Sequence, residues 1–287
     1  GGSKMFVEVG NEVSVEDLLR GVIVQSGNDA SIVLAEGIAG TESAFAEMMN
    51  AKARELGLDE TTFRNSTGWP HPEHRTSAQD LAKLSRTLIR KFPQYSHFFA
   101  EREFTLHDIR QFNRNPLLTR NMGVDGIKTG HTQKAGYGLT ASAKRKERRL
   151  ILVVNGLGSA EQRAQESARL LEWGFREFDN YTLFEGGETV ERASVWLGEK
   201  DRVPLVIEKP LTLTLKRDNV DNMTVKVTYE SPIPAPIESG ERLATLHVDG
   251  PALEKREVPL VAGSHVAQLG PVGRIVSGVE FLIFGAP

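Results

Sequence analysis

The 287-residue sequence contains no cysteine, which excludes disulfide staples, a thiolate nucleophile and cysteine-ligated zinc. The same absence does not locate the chain, because proteins of oxidising compartments also do without disulfides. No apolar run approaches the ~20 residues that a bilayer-spanning helix requires. The first residues, Gly1-Gly2-Ser3-Lys4, show neither an initiator methionine nor the basic and apolar regions of a secretory signal, so they read as the interior of a longer protein or the product of processing. Charge of one sign is also scarce. With 35 Lys and Arg against 38 Asp and Glu, the formal charge is -3, which offers nucleic acid and anionic lipid no general attraction. Binding therefore falls to local sites.

What is present is a globular composition, 39% hydrophobic, long enough for one large domain or two ordinary ones. Ser14 followed by Glu16 and Asp17 reads as a helix cap, and Leu18, Leu19, Val22 and Ile23 carry helical spacing up to Ser26-Gly27. Further helices are expected from about Asp29 to Ala39, from about Ser43 to Leu56, and after Thr76-Ser77-Ala78-Gln79, which resembles a capping box. Beyond Glu101 the texture changes to short strands at 103–106, 123–130 and 138–143. The last of these turns through Lys144 to Arg148 into the apolar run 150–154, and a helix over 160–178 would lie on that sheet through Ala164, Ala168, Leu171 and Phe175. Helices on a mainly antiparallel sheet make an α+β domain. From Tyr181 onward, short β-rich runs alternate with Gly, Pro and Asp turns and predict a separate all-β module, with Pro232 to Pro236 as a stiff extended connection. The segment from Val272 to Phe284 is apolar with few charges, suited to a surface anchor or a last core strand.

Two short motifs carry candidate chemistry: Ser26-Gly27-Asn28 at a helix end and Lys128-Thr129-Gly130 at a strand end. Each alone is ordinary local structure, and their order and contexts raise their weight. Together with Leu18-Leu19-Arg20-Gly21, Asn113-Arg114-Asn115, the stretch from Val124 to Thr132, Lys134-Ala135-Gly136-Tyr137 and Trp173-Gly174-Phe175-Arg176, they resemble the low-molecular-mass penicillin-binding proteins, the serine-type D-alanyl-D-alanine carboxypeptidases of peptidase family S11. The likeness covers nearly the whole chain. It implies a truncated β-lactamase/transpeptidase-like domain over 1–178, a small β-rich domain over 179–270 and a candidate amphipathic membrane anchor over 271–287.

The resemblance implies a periplasmic enzyme, peripheral to the inner membrane through its C-terminal segment. It would trim the terminal D-alanine from peptidoglycan stem peptides through an acyl-enzyme, react with β-lactam antibiotics and use no cofactor, metal or nucleic acid. Acyl transfer needs an activated serine, an oxyanion hole and a cation for the substrate carboxylate. By resemblance, Ser26 relays protons to the leaving amine, Asn28 binds the substrate amide, and Lys128 supplies positive potential. Thr129, with either Arg114 or Arg163, holds the carboxylate, Gly130 belongs to the same wall, and the His131 N–H is one oxyanion donor. The nucleophile is the departure: no serine in the sequence has a lysine three residues on. The expectation is loss by truncation, leaving this chain inactive, and the alternative is a non-catalytic peptidoglycan-binding or scaffolding protein.

Other candidates are weaker. His71-Pro72-Glu73-His74 lacks the spacing of a helical zinc motif. Gly156-Leu157-Gly158 lacks the third glycine of a dinucleotide loop. The basic tip formed by Arg145, Lys146, Arg148 and Arg149 reads as a solvated turn.

Overall fold

A computed structural model describes residues 2–251 and 253–276, with the side chains of 219–221 left out. The chain divides into two compact units, Gly1–Phe175 and Arg176–Pro287.

The first unit begins with an extended strap that leads to helix α1 (Val15–Arg20), where the Ser14 side chain accepts from the Asp17 N–H. The helical pattern does not simply continue to Ser26. A π-helical turn, Gly21–Gln25, intervenes. Helices α2 (Asn28–Ala39) and α3 (Glu42–Glu55) follow, the first closed by Gly40 in the left-handed conformation and the second capped by Thr41. Helix α4 (Ala78–Lys91) is capped by Ser77 alone, whose hydroxyl accepts from Asp80 N–H. The acidic partner is thus Asp80 rather than Gln79, and its buried carboxylate takes the Glu60 N–H and the Thr61 hydroxyl. Short helix α5 (His97–Ala100) precedes the hairpin of β1 (Glu103–Leu106) and β2 (Ile109–Phe112).

Strands β3 (Val124–Thr132), β4 (Gly136–Arg145) and β5 (Arg148–Leu157) form an antiparallel sheet in that order. Helix α6 (Ala160–Glu177) starts at Ser159, whose hydroxyl accepts from the Gln162 N–H while Gln162 takes the Gly158 N–H. This reciprocal cap holds Gly158, the residue that joins the end of β5 to the helix. Leu139, Ala141 and Ala143 alternate toward Leu171, with Ala168 and Phe175 packed against them, as the period-2 and period-3.6 patterns require. The basic tip is not simply solvated. Arg145 pairs with Glu172, Arg148 donates to the Gly174 carbonyl at 2.9 Å near the end of α6, and Arg149 donates to Asp125 at 2.7 Å. Arg145 and Arg148 fasten sheet to helix, while Arg149 ties β5 to β3.

In the second unit β6 (Phe178–Phe184) pairs with β9 (Leu211–Lys216). A six-stranded sheet comprises β7 (Thr189–Trp196), β8 (Arg202–Val206), β10 (Thr224–Thr228), β11 (Ile233–Pro234), β12 (Arg242–Gly250) and β13 (Leu253–Ala262), in the order β10-β12-β13-β8-β7-β11. The proline-rich stretch is more than a connection: Ile233 and Ala235 are buried and β11 pairs in parallel with β7 at the sheet edge, where a missing N–H is tolerated. Alternating Leu211, Leu213 and Leu215 meet Leu246 and Val248 in one apolar core. Residues 271–276 are helical with Val272, Ile275 and Val276 exposed; the rest of the candidate anchor, 277–287, lies outside the described residues. No described helix is long and apolar enough to cross a membrane.

Candidate active site

The first wall of the site is built by an abrupt change of chain direction. The turn Gly21–Gln25 buries Gly21, Val24 and Gln25, and a Cβ at Gly21 would overlap the Met5 sulfur. Ser26 then adopts a left-handed conformation, φ 64° and ψ 41°, which costs a non-glycine residue about 1 kcal/mol or more and is typical of functional positions. Its N–H and that of Gly27 both return to the Gly21 carbonyl. Helix α2 therefore begins at Asn28, which puts Ser26 at the end of one helical turn and Asn28 at the start of the next helix.

The second wall is β3. Lys128, 102 positions away in sequence, donates to the Ser26 hydroxyl at 2.8 Å and to the Thr129 carbonyl at 3.2 Å. Burial of the ammonium, with the positive charges of Arg114 and Arg163 adding to it, pulls the Lys128 pKa down to about 8. Desolvation and like charge both oppose the protonated form of an amine. Thr129 is half-buried, while Gly130 and His131 are exposed farther along the strand. The His131 ring lies 4.0 Å from that of Tyr137, its partner in the β-ladder.

Arg114 and Arg163 complete a cationic corner. The loop carrying Arg114 is held by its two asparagines. Asn113 donates to the Glu101 carbonyl at 2.8 Å and accepts the Asn115 N–H at 2.9 Å, while buried Asn115 donates to the Gly126 carbonyl on β3 at 3.1 Å. Arg163, on the first turn of α6, donates to the Arg114 carbonyl at 3.4 Å and stands over the Tyr137 ring at 5.6 Å. It is only 8% exposed, its Nε has no hydrogen-bond partner among the described residues, and burial lowers its pKa despite nearby Tyr137. Buried polar groups are almost always paired, and this Nε is an exception among the described residues. Both arginines named from sequence lie close enough to Lys128 to act on its charge.

Several neighbours were not signalled by motif. Ser3, Gln25 and Asp29 interlock beneath Ser26 and Asn28. Trp69, half-exposed, sits with Asn28 around Gly2, where a Cβ would collide with the Asn28 carboxamide. Their roles rest on non-local backbone contacts, which leave no spacing rule in sequence. The two histidines of the 71–74 loop are occupied otherwise: each Nδ1 accepts a backbone N–H, from Glu73 and from Arg64. No group of metal-ligating side chains occurs among the described residues.

Residues 1–158 match the D-alanyl-D-alanine carboxypeptidase family model of peptidase S11, and residues 178–268 match that of the penicillin-binding protein 5 C-terminal domain. The chain is 40% identical over 279 residues to the D-alanyl-D-alanine carboxypeptidase DacC of Escherichia coli, a match spanning 96% of this chain and 69% of the relative. It is similar to the crystal structure of penicillin-binding protein 5 from Haemophilus influenzae, with a TM-score of 0.83 and 35% identity over 93% of this chain and 78% of that one. Penicillin-binding protein D2 of Listeria monocytogenes, solved in its cefotaxime-bound form, aligns with 60% of this chain and 71% of its own at 30% identity and a TM-score of 0.55.

Proposed function

The chain belongs to the D-alanyl-D-alanine carboxypeptidase family of penicillin-binding proteins, and on that premise we propose that it forms the substrate-binding side of a serine carboxypeptidase that releases the terminal D-alanine of peptidoglycan stem peptides. The observation that carries the reading is the 2.8 Å Lys128–Ser26 hydrogen bond, which joins the two motifs across one cleft beside two arginines.

In this mechanism the substrate carboxylate binds at Arg114, Arg163 and Thr129, where planar guanidinium groups suit a bidentate anion. Asn28 holds the amide on the acyl side. A serine from a Ser-x-x-Lys pair gives its hydroxyl proton to that lysine and attacks the D-Ala-D-Ala carbonyl; the carbonyl oxygen becomes an oxyanion, stabilised by the His131 N–H and the N–H of that serine. The C–N bond then breaks, and Ser26, hydrogen-bonded to Lys128, passes a proton to the departing D-alanine amine. Water hydrolyses the ester to regenerate the serine. β-Lactams enter the same site as acylating mimics, in keeping with the cefotaxime-bound relative.

No serine of these 287 residues has the required lysine, so the polypeptide alone neither turns over nor becomes acylated. The test is to join a Ser-x-x-Lys-bearing helix upstream of Gly1 and probe both polypeptides with a fluorescent penicillin and a D-alanine release assay. The joined protein should label and release D-alanine while the chain alone does neither. A folded joined protein that stays unlabelled, yet still binds wall peptide, would favour a scaffolding role. The working location is the periplasm, at the inner-membrane surface through 272–284. Deleting those residues should abolish vesicle co-sedimentation, and unchanged sedimentation would refute the anchor.

A further inference from the structure

The strap of residues 3–7 is tied to the first wall by one carboxylate. Asp29, next to Asn28, accepts the N–H groups of Met5 at 2.8 Å, Phe6 at 2.8 Å, Val7 at 3.1 Å and Ala30 at 3.0 Å. Partial burial pushes this carboxyl up, but the four N–H groups together outweigh it and leave its pKa lowered; it stays ionised through the neutral range. Met5 is fully buried, the Asn28 N–H donates to the Ser3 carbonyl at 2.9 Å, and Gln111 donates to the Lys4 carbonyl at 3.2 Å. The strap is thereby tied to both α2 and β2.

Its end delivers a hydroxyl. Ser3 donates its only O–H hydrogen to the Gln25 carbonyl at 2.7 Å, immediately before Ser26. With that proton committed, the oxygen is left as an acceptor, and the Arg114 guanidinium donates to it. Arg114 is otherwise an exposed, many-rotamer side chain, and fixing it before the ligand arrives removes an ordering cost from binding.

We propose that Ser3, locked in place by Asp29, is a positioning residue that aims Arg114 at a free C-terminal carboxylate and so sets the preference for terminal over internal D-Ala-D-Ala bonds. This rests on the carboxypeptidase reading given above. Substrates whose last residue is free present a carboxylate, whereas cross-linked or amidated ends do not. A shared strap also means that the amide-binding Asn28 and the carboxylate-binding Arg114 are set by one element.

The experiment is a set of NMR titrations of the whole chain with diacetyl-L-Lys-D-Ala-D-Ala and with its C-terminal amide, giving two dissociation constants per variant. Ser3→Ala should weaken the free-acid ligand about fivefold, the ordering cost of one long side chain, and leave the amide unchanged. Asp29→Asn, which loosens the strap shared by Asn28 and Arg114, should weaken both ligands but the free acid more, and Ser3→Thr should restore the preference lost in Ser3→Ala. In an Arg114→Ala background Ser3→Ala should have no further effect. An unchanged ratio in Ser3→Ala, with the preference lost in Arg114→Ala, overturns the positioning role alone. If Arg114→Ala itself leaves the ratio intact, Arg114 is not the carboxylate site and the inference falls with that reading. A purely structural role for Ser3 would weaken both ligands equally, which also overturns it.

Discussion

The Lys128 ammonium donates at 2.8 Å to the hydroxyl of Ser26, a residue held in a left-handed conformation at the end of a π-helical turn. The bond ties a backbone arrangement that costs energy to a charge that costs energy, and both are local expenses of building a site. The charge has a testable signature. Lys128 ionises near 8 in the folded chain against its ordinary 10.5, a difference of about 3 kcal/mol. Below about pH 8 both folded and unfolded chains carry the proton, and folding bears the full cost. Between about 8 and 10.5 the folded chain sheds its proton first, and the cost fades as pH rises. Lys128→Met should therefore stabilise the protein near pH 7 and do so less near pH 10. Urea midpoints of both proteins across this range measure it, and a pH-independent difference would refute the buried-charge account.

The same titration governs binding. As pH rises through about 8 the free site loses the Lys128 charge, so affinity for a carboxylate ligand should fall above that pH while affinity for its amide stays flat. Lys128→Arg should remove the pH dependence, because guanidinium remains protonated. NMR titrations at pH 6.5 and 9.5, values chosen to span roughly the Lys128 transition, test this; equal affinities at the two pH values count against Lys128 as an electrostatic contributor.

Gly21 offers a second test. A Cβ there would overlap the sulfur of Met5, which is 1% exposed, and approach Ala30 to 3.3 Å. Gly21→Ala should cost about 1–3 kcal/mol by overpacking, and the strain should transmit to the strap carrying Ser3. Met5→Ala makes room at the price of a cavity. The double variant should therefore be more stable than the two single losses added together. Strict additivity in chemical denaturation would place the strain elsewhere.

Much of this molecule was legible because its signals are local. Thr41, Ser77 and Ser159 cap helices through their own next turns, and the alternation of Leu139, Ala141 and Ala143 marks a strand by itself. The π-helical turn was not legible, since Val22 and Ile23 continue the spacing of Leu18 and Leu19 while the chain slips by a residue. Strand β13 was hidden by Glu254-Lys255-Arg256-Glu257, four charged residues that hold strand geometry only because β12 supplies the ladder. Ser26 and Lys128 were readable as motifs, whereas Ser3 and Asp29 act through backbone groups of residues more than twenty positions away, and no side-chain pattern records that.

Trp69 supplies a direct view of the cleft. Its loop is clamped by Asn65, which takes the N–H groups of Gly68 at 2.8 Å and Trp69 at 3.0 Å and donates to the Trp69 carbonyl at 3.0 Å. The half-exposed indole stands near Asn28. Its fluorescence should change when a D-Ala-D-Ala peptide binds, in a chain whose other tryptophans are replaced by Phe. Asn65→Ala should loosen the loop, shift emission to the red and weaken peptide binding severalfold through lost preorganisation. An emission spectrum insensitive to saturating peptide would put the acyl chain on another path.

Arg163 separates stability from function. At 8% exposure its only hydrogen bond among the described residues is one of 3.4 Å to the Arg114 carbonyl, its Nε has no partner among them, and burial lowers the pKa of its guanidinium. A buried cation without a counter-ion is unfavourable to folding, and an apolar group of similar length often replaces it at no loss. Arg163→Met should therefore hold or raise the melting temperature. The same change removes the cation facing the proposed carboxylate subsite, and affinity for the free-acid peptide should fall by about 10-fold or more, the loss of a charge-assisted pair. Calorimetry and peptide titration on one preparation read both effects. A variant that loses stability and keeps its affinity would make Arg163 a structural residue and leave the carboxylate to Arg114 and Thr129.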